Sequence, residues 1–143
     1  MAEFSYATSQ EVAVNGNVIF NTVIPCNRGY VYHRDESGIF ILRGIVNNPS
    51  SCFARYQVTY NGNISVPTDE TPGPISLSIA IDGETLPAST AIVTPTVVDA
   101  LFNVTVTAII DVPRGCCLNC SIENNSDIPI NVANSNLVIA RIA

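Results

Sequence analysis

The sequence contains no lysine and no tryptophan, one methionine and one histidine. Its six basic residues are all arginine (Arg28, Arg34, Arg43, Arg55, Arg114 and Arg141) and face twelve acids, for a formal charge of -6 at pH 7. Without a basic run or an arginine–aromatic stripe nothing offsets a phosphate backbone, which excludes nucleic acid as a partner. The same charge disfavours an anionic membrane surface. No apolar run approaches the roughly 20 residues that span a bilayer. Met1-Ala2-Glu3-Phe4-Ser5-Tyr6 also lacks the basic start and apolar stretch of a secretory signal. The expectation is a soluble protein, complete as it stands.

Charge is scarce as well, at 13% of the 143 residues against 47% hydrophobic, which argues against a disordered tail or a salt-bridged helical rod. A chain of this length buries roughly 70% of its unfolded surface, so residues 1–143 are expected to form one domain that needs no disulfide or metal to fold. Helical periodicity is nearly missing. The only candidate, Thr96 to Phe102, amounts to about two turns, too short to anchor a layer.

What the sequence does contain is alternation and turns. Ile75, Leu77, Ile79 and Ile81 alternate with Ser76, Ser78, Ala80 and Asp82, and Val104, Val106, Ala108, Ile110 and Val112 alternate with Thr105, Thr107 and Asp111. Both patterns are those of half-buried strands. Asp82-Gly83 marks a tight hairpin, and Asn15-Gly16 and Asn61-Gly62 repeat that signal. Further strands are expected around Val18 to Val23, Ile39 to Leu42, Phe53 to Tyr60, Ala91 to Thr94, Cys116 to Glu123 and Leu137 to Ile142. Many short strands without helix or repeat predict an all-β, two-sheet antiparallel sandwich or jelly roll.

The order of these elements carries a resemblance. Gly16-Asn17-Val18-Ile19-Phe20, His33, Ser37-Gly38-Ile39-Phe40-Ile41-Leu42, Tyr56-Gln57-Val58-Thr59-Tyr60, Gly73-Pro74-Ile75-Ser76-Leu77, Asp82-Gly83 and Asn136-Leu137-Val138-Ile139 follow one another. Together they resemble the jelly roll of the tumour necrosis factor and complement globular heads. The nearest branch is bacterial, found at the tips of collagen-like spore-surface filaments and in small proteins of bacteria and their phages. The resemblance implies a ten-stranded sandwich with neighbouring termini, usually trimeric. Two departures are visible: no Gly-X-Y stalk precedes the domain, and the Gly-Tyr that opens the third strand is replaced by Cys52-Phe53-Ala54-Arg55-Tyr56.

A homotrimer has separate support in the pattern. Tyr56, Val58 and Tyr60 share one face of their strand while Phe53, Arg55, Gln57 and Thr59 share the other, so both faces carry large side chains. The closing strand is apolar on both faces at Leu137, Val138, Ile139 and Ile142. A surplus of this kind suggests cover by a neighbouring subunit, and Tyr56, Val58, Tyr60 and Val138 are the expected trimer contacts.

Five cysteines, Cys26, Cys52, Cys116, Cys117 and Cys120, leave at least one thiol free or paired between chains. In a strand, Cys116, Leu118, Cys120 and Ile122 would share the inner face and Cys117 would point outward. Cys117-x-x-Cys120 is half of a zinc pattern, but a strand sends the two side chains to opposite faces, so a metal site would require the strand to break. Buried free thiols are preferred over a metal or a disulfide.

His33, the sole histidine, would have to carry any Ser/His/Asp or Cys/His scheme, yet it leads into an acidic turn where a local hydrogen bond or subunit contact is the simpler role. The doublets Asp35-Glu36 and Asp69-Glu70 could offer oxygen to calcium, but two carboxylates do not make a site. The four Asn-x-Ser/Thr matches, among them Asn124-Asn125-Ser126, are expected by chance in so asparagine-rich a chain.

No catalytic residue and no cofactor is assigned. The function expected is a non-enzymatic structural or adhesive module: a homotrimeric knob or decoration protein on a bacteriophage particle or a spore or cell surface, with a capsid or surface-layer protein as partner. The alternative is a lectin-like head recognising a glycan through the loops around Asp35, Asp69 and Asp99.

Overall fold

The computed structural model describes residues 2–24, 30–34, 36–46 and 49–142. Cys26 and Asp35 lie outside the described residues. The chain forms β1 (Ala2–Tyr6), β2 (Gln10–Val12), β3 (Thr22–Ile24), β4 (Val31–His33), β5 (Phe40–Arg43), β6 (Phe53–Ser65), β7 (Ile75–Ile81), β8 (Glu84–Thr85), β9 (Ala91–Val93), β10 (Phe102–Pro113), β11 (Cys117–Asn124) and β12 (Ile130–Arg141). Among the described residues the only helical element is one 3-10 turn at Pro87–Ser89.

The strands form two six-stranded antiparallel sheets. The first runs β10-β6-β12-β1-β3, with β2 also on β12; the second runs β4-β5-β11-β7-β8, with β9 also on β7. This is the all-β jelly roll that the alternation predicts. Ala2 pairs with Ile139, so the start of the first strand lies beside the last one. Period-two alternation sends one face of each sheet inward. The core runs from Phe4, Phe20 and Phe40 through Tyr56, Val58 and Tyr60 to Leu77, Ile79, Ile122, Leu137 and Ile139, all at most 1% exposed.

Several local expectations are corrected. Asn61 and Gly62 are not a turn: β6 continues through them and pairs Asn61 with Thr105 and Gly62 with Val104. The glycine answers a packing need, since a Cβ there would collide with the Tyr60 ring and its hydroxyl. Asn15-Gly16 does turn, with Asn15 at φ 60 and Gly16 N donating to Ala13 O at 2.8 Å. It is no hairpin, because it carries the chain from β2 in the first sheet to Asn17, which bridges Glu123 of β11 in the second. The strand expected over Val18 to Val23 is thereby broken into isolated bridges at Asn17 and Phe20, followed by β3.

Thr96 to Phe102 forms no helix. Positive φ at Asp99 interrupts it, and Phe102 opens β10. The Asp82-Gly83 hairpin is present between Ile81 and Glu84, with both turn residues at positive φ, 53 and 83. That is the geometry which matches the twist of the flanking strands.

Candidate functional site

The candidate site is the outer face of the first sheet. Here the expected trimer contacts divide. Tyr56, Val58 and Tyr60 have no exposed surface within a single chain, so they are core residues and have no area for a neighbour to cover. Their side chains fill the sandwich between the two sheets. Tyr56 reaches the end of the core, where its hydroxyl donates to the carbonyls of Arg43 and Tyr30, and burial raises its pKa. Tyr60 is pushed up to about 12 by burial, partly offset by its hydrogen bond with Ser135. Val138, in contrast, stands on the outer face, half-buried and flanked by Thr59 on β6 and Glu3 on β1.

The outward positions of β6 and β10 are the opposite set, Arg55, Gln57, Thr59, Asn61 and Asn63 facing Asp111, Ile109, Thr107, Thr105 and Asn103. They hydrogen-bond across the strands. Thr59 and Thr107 hydroxyls meet at 3.1 Å, Thr105 donates to Asn61 at 3.0 Å, Asn103 to Asn63 at 3.1 Å and Asn63 to Asn134 at 3.1 Å. Arg55 forks onto Asp111 at 2.7 and 3.0 Å. The hydrogen bond from Arg55 holds the Asp111 carboxyl below its usual range, and Asp111 in turn raises Arg55. Among the described residues these two are the only charged side chains that β6, β10 and β12 present on this face. The result is a flat field of short, mutually bonded amides and hydroxyls, with Val138, Ala140 and Ile109 among them.

The other sequence candidates do not converge. His33 Nε2 lies 2.7 Å from the Ser37 carbonyl, and the ring stacks on Phe40 at 4.4 Å and packs against Phe4 at 5.0 Å. Its surroundings are aromatic and main-chain, and its Nδ1 is buried without a hydrogen-bond partner. Cys117 points outward and Cys120 is buried with its thiol pushed up to about 12, so the two halves of the zinc pattern occupy opposite faces of β11. Cys116, expected inside, precedes the strand and is exposed, as are Cys52 and Cys117. Among the described residues no three His, Cys, Asp or Glu side chains gather as a metal site would need. Asp99 and Asp69 lie on adjoining loops, where Asp99 accepts from Thr68 at 3.2 Å.

Asn124 carries weight the sequence reading missed. Fully buried, its amide donates to the carbonyls of Val12, Ala13 and Ile128 at 3.0–3.2 Å, and its oxygen accepts from Ser126 N at 2.9 Å. It clamps the 13–16 crossover onto the end of β11. A buried amide with that many partners is no acceptor for a glycan.

No protein-family model and no curated protein matches the sequence. Solved structures do match. Murine APRIL is 8% identical with a TM-score of 0.65, over 99% of this chain and 98% of that one. The fold is that of the tumour necrosis factor and complement globular heads. The globular domain of zebrafish complement 1qA protein matches over 96% of this chain and 94% of its own, at 11% identity and TM-score 0.53. The PRD1 vertex protein P5 matches over 99% and 96%, at 15% identity and TM-score 0.53. This chain spans each of these three folds nearly from end to end.

Proposed function

We propose that the chain is a non-enzymatic structural and adhesive module, a homotrimeric knob or decoration protein on a bacteriophage particle or on a spore or cell surface. The observation that carries this reading is the outer face of the first sheet. Interface centres are depleted of charge, and buried polar groups must find partners. Across β6 and β10 most of the amides and hydroxyls bond one another and the one ion pair is internally matched, so two further copies can cover these strands at little desolvation cost provided that Glu3, beside Val138 on β1, stays outside the covered area. The acids that make up the charge of -6 lie mostly elsewhere. The end-to-end likeness to a phage vertex protein supports a place on a particle, with a capsid or surface-layer protein as the attachment partner.

Mass photometry or light scattering on the reduced protein tests the assembly. The expected particle has three times the 15.3 kDa chain mass. A monodisperse single chain at micromolar concentration overturns the knob. Attachment is tested by co-sedimentation with intact particles or spores.

A further inference from the structure

The second sheet carries a separate feature on its own outer face: a cavity of about 300 Å³. Asn119, Ser121 and Glu123 form its floor from alternate positions of β11, while Asn15 and Asn17 from the sheet-switching turn, Ile39 before β5 and Gly83 of the β7–β8 hairpin form its walls. The walls are fixed by main-chain contacts. Asn17 bridges Glu123, and Val18 N donates to Ile122 O at 2.9 Å. Asp82 accepts from Asn119 N at 3.0 Å, which pins the hairpin beside the floor. Gly38 packs so closely on Asn17 that a Cβ there would strike it. The cavity is therefore preformed, and its volume sits at the small end of the roughly 300–1,000 Å³ usual for ligand pockets.

Its chemistry is uneven. One carboxylate oxygen, Glu123 Oε2, is closed off from solvent and has no hydrogen-bond partner, and desolvation raises the pKa of that carboxyl. An atom that no water touches admits no ligand hydroxyl either, so Glu123, which is half-buried, meets a ligand through the rest of its carboxylate. Around it stand three carboxamides and one hydroxyl, groups that both donate and accept. No lining residue is cationic.

We propose that this cavity binds a neutral sugar residue, with Glu123 accepting from ring hydroxyls, the Asn17 and Asn119 amides bridging neighbouring hydroxyls, and Ile39 packing on the sugar's C–H face. An anionic ligand is disfavoured because it would meet Glu123 with no compensating cation. An ammonium ion would satisfy Glu123 but leave the amide N–H donors unmatched. Calcium needs six to eight oxygens, typically with several carboxylates, and one carboxylate lines this cavity. Adjacent sugar hydroxyls, each both donor and acceptor, match the whole lining. The site lies on the opposite sheet from the assembly face, so it stands whether the protein is a trimer or a single chain.

The test is a nitrogen-15 NMR titration of the full chain with glucose, galactose, mannose, fucose, N-acetylglucosamine and N-acetylgalactosamine, and in separate arms with methylammonium chloride and calcium chloride. At least one sugar is expected to shift the backbone amides of Asn17, Asn119 and Ser121 with millimolar affinity. Glu123→Gln and Asn119→Ala, each checked by its unliganded spectrum, are each expected to weaken that binding about tenfold or more, a loss equal to about 1.4 kcal/mol. Asn119 is an exposed side chain, so its variant tests the site even where Glu123→Gln disturbs folding. Silence towards all six sugars overturns the proposal. So does a response to methylammonium or calcium in their place, or sugar binding that both variants leave unchanged.

Discussion

The Tyr60 hydroxyl lies 3.0 Å from Ser135 Oγ in the interior of the sandwich, and neither side chain is exposed by more than 2%. Two irregularities bring them together. A bulge in β12 between Ala133 and Asn136, with Asn134 at φ 54, turns Ser135 inward. Gly62 on β6 leaves room for the end of the tyrosine ring. Tyr60→Phe strands the serine hydroxyl in the core and is expected to cost about 1–3 kcal/mol. Gly62→Ala is expected to cost more than Tyr60→Phe, because the collision is with a ring fixed on all sides. Urea midpoints measure both, and a Tyr60→Phe midpoint equal to wild type would show that the pair contributes nothing.

Alkaline pH acts on the same interior. Burial raises Cys120 from 9.0 and Tyr60 from 10.0, each to about 12. Groups whose folded pKa is raised contribute stability that is complete below the unfolded value and is lost as pH rises through the folded one. Stability is therefore expected to hold to about pH 9 and to decline between about pH 9 and 12. Cys120→Ala should move the onset upward toward the tyrosine range. In native protein Cys52, Cys116 and Cys117 should react with a thiol reagent at once and Cys120 only on unfolding, which mass spectrometry of the labelled peptides reads directly. Prompt labelling of Cys120 would contradict its burial.

The fold was largely legible in the sequence because period-two alternation is a local signal and the strands that carry it, β7 and β10, are long and regular. The faces were harder to assign. In β6, Tyr56, Val58 and Tyr60 alternate with Arg55, Gln57 and Thr59, and alternation separates the faces without saying which one is inside. Two tyrosines look amphipathic enough for an interface. Their polar ends have partners inside the chain, the Arg43 and Tyr30 carbonyls for Tyr56 and buried Ser135 for Tyr60, that lie far away in sequence. The same non-local logic hid the role of Gly62, which reads as a turn beside Asn61 and is a strand residue making room for a ring. The cavity was illegible for a related reason: Asn15 and Asn17 meet Glu123 only because Asn124 clamps a crossover more than a hundred residues away in sequence.

The Arg55–Asp111 pair predicts an acid-side effect. Asp111 has a lowered pKa, so its contribution is present above its ordinary value of 3.8 and lost as pH falls through the lowered one. The pair is about two-fifths exposed on each partner, and salt screens it. At low ionic strength the protein should lose stability more steeply below about pH 4 than at high salt, and Asp111→Asn should remove most of that salt dependence. Thermal melts at two salt concentrations decide it. An unchanged salt response in the variant would place the effect on other carboxylates.

Assembly gives the last prediction, because core and outer face respond differently to the same substitution. Arginine at Val138 or Thr59 adds a charge to the outer face of the first sheet, where each side chain stands at an outward position of its strand and paired across β12 and β6. A single chain accommodates it at the surface, with stability within about 0.5 kcal/mol of wild type. A trimer closed over that face cannot, since the interface would then bury a charge without a partner, so Val138→Arg and Thr59→Arg should both yield folded, soluble monomer. Tyr60→Arg puts the same charge between the sheets, where the side chain has no exposure at all, and should not fold. Circular dichroism separates folded from unfolded chains, and sedimentation velocity separates one chain from three. Trimers that persist in both outer-face variants would move the contact to another surface, and a folded Tyr60→Arg monomer would show that tyrosine to be an interface residue after all.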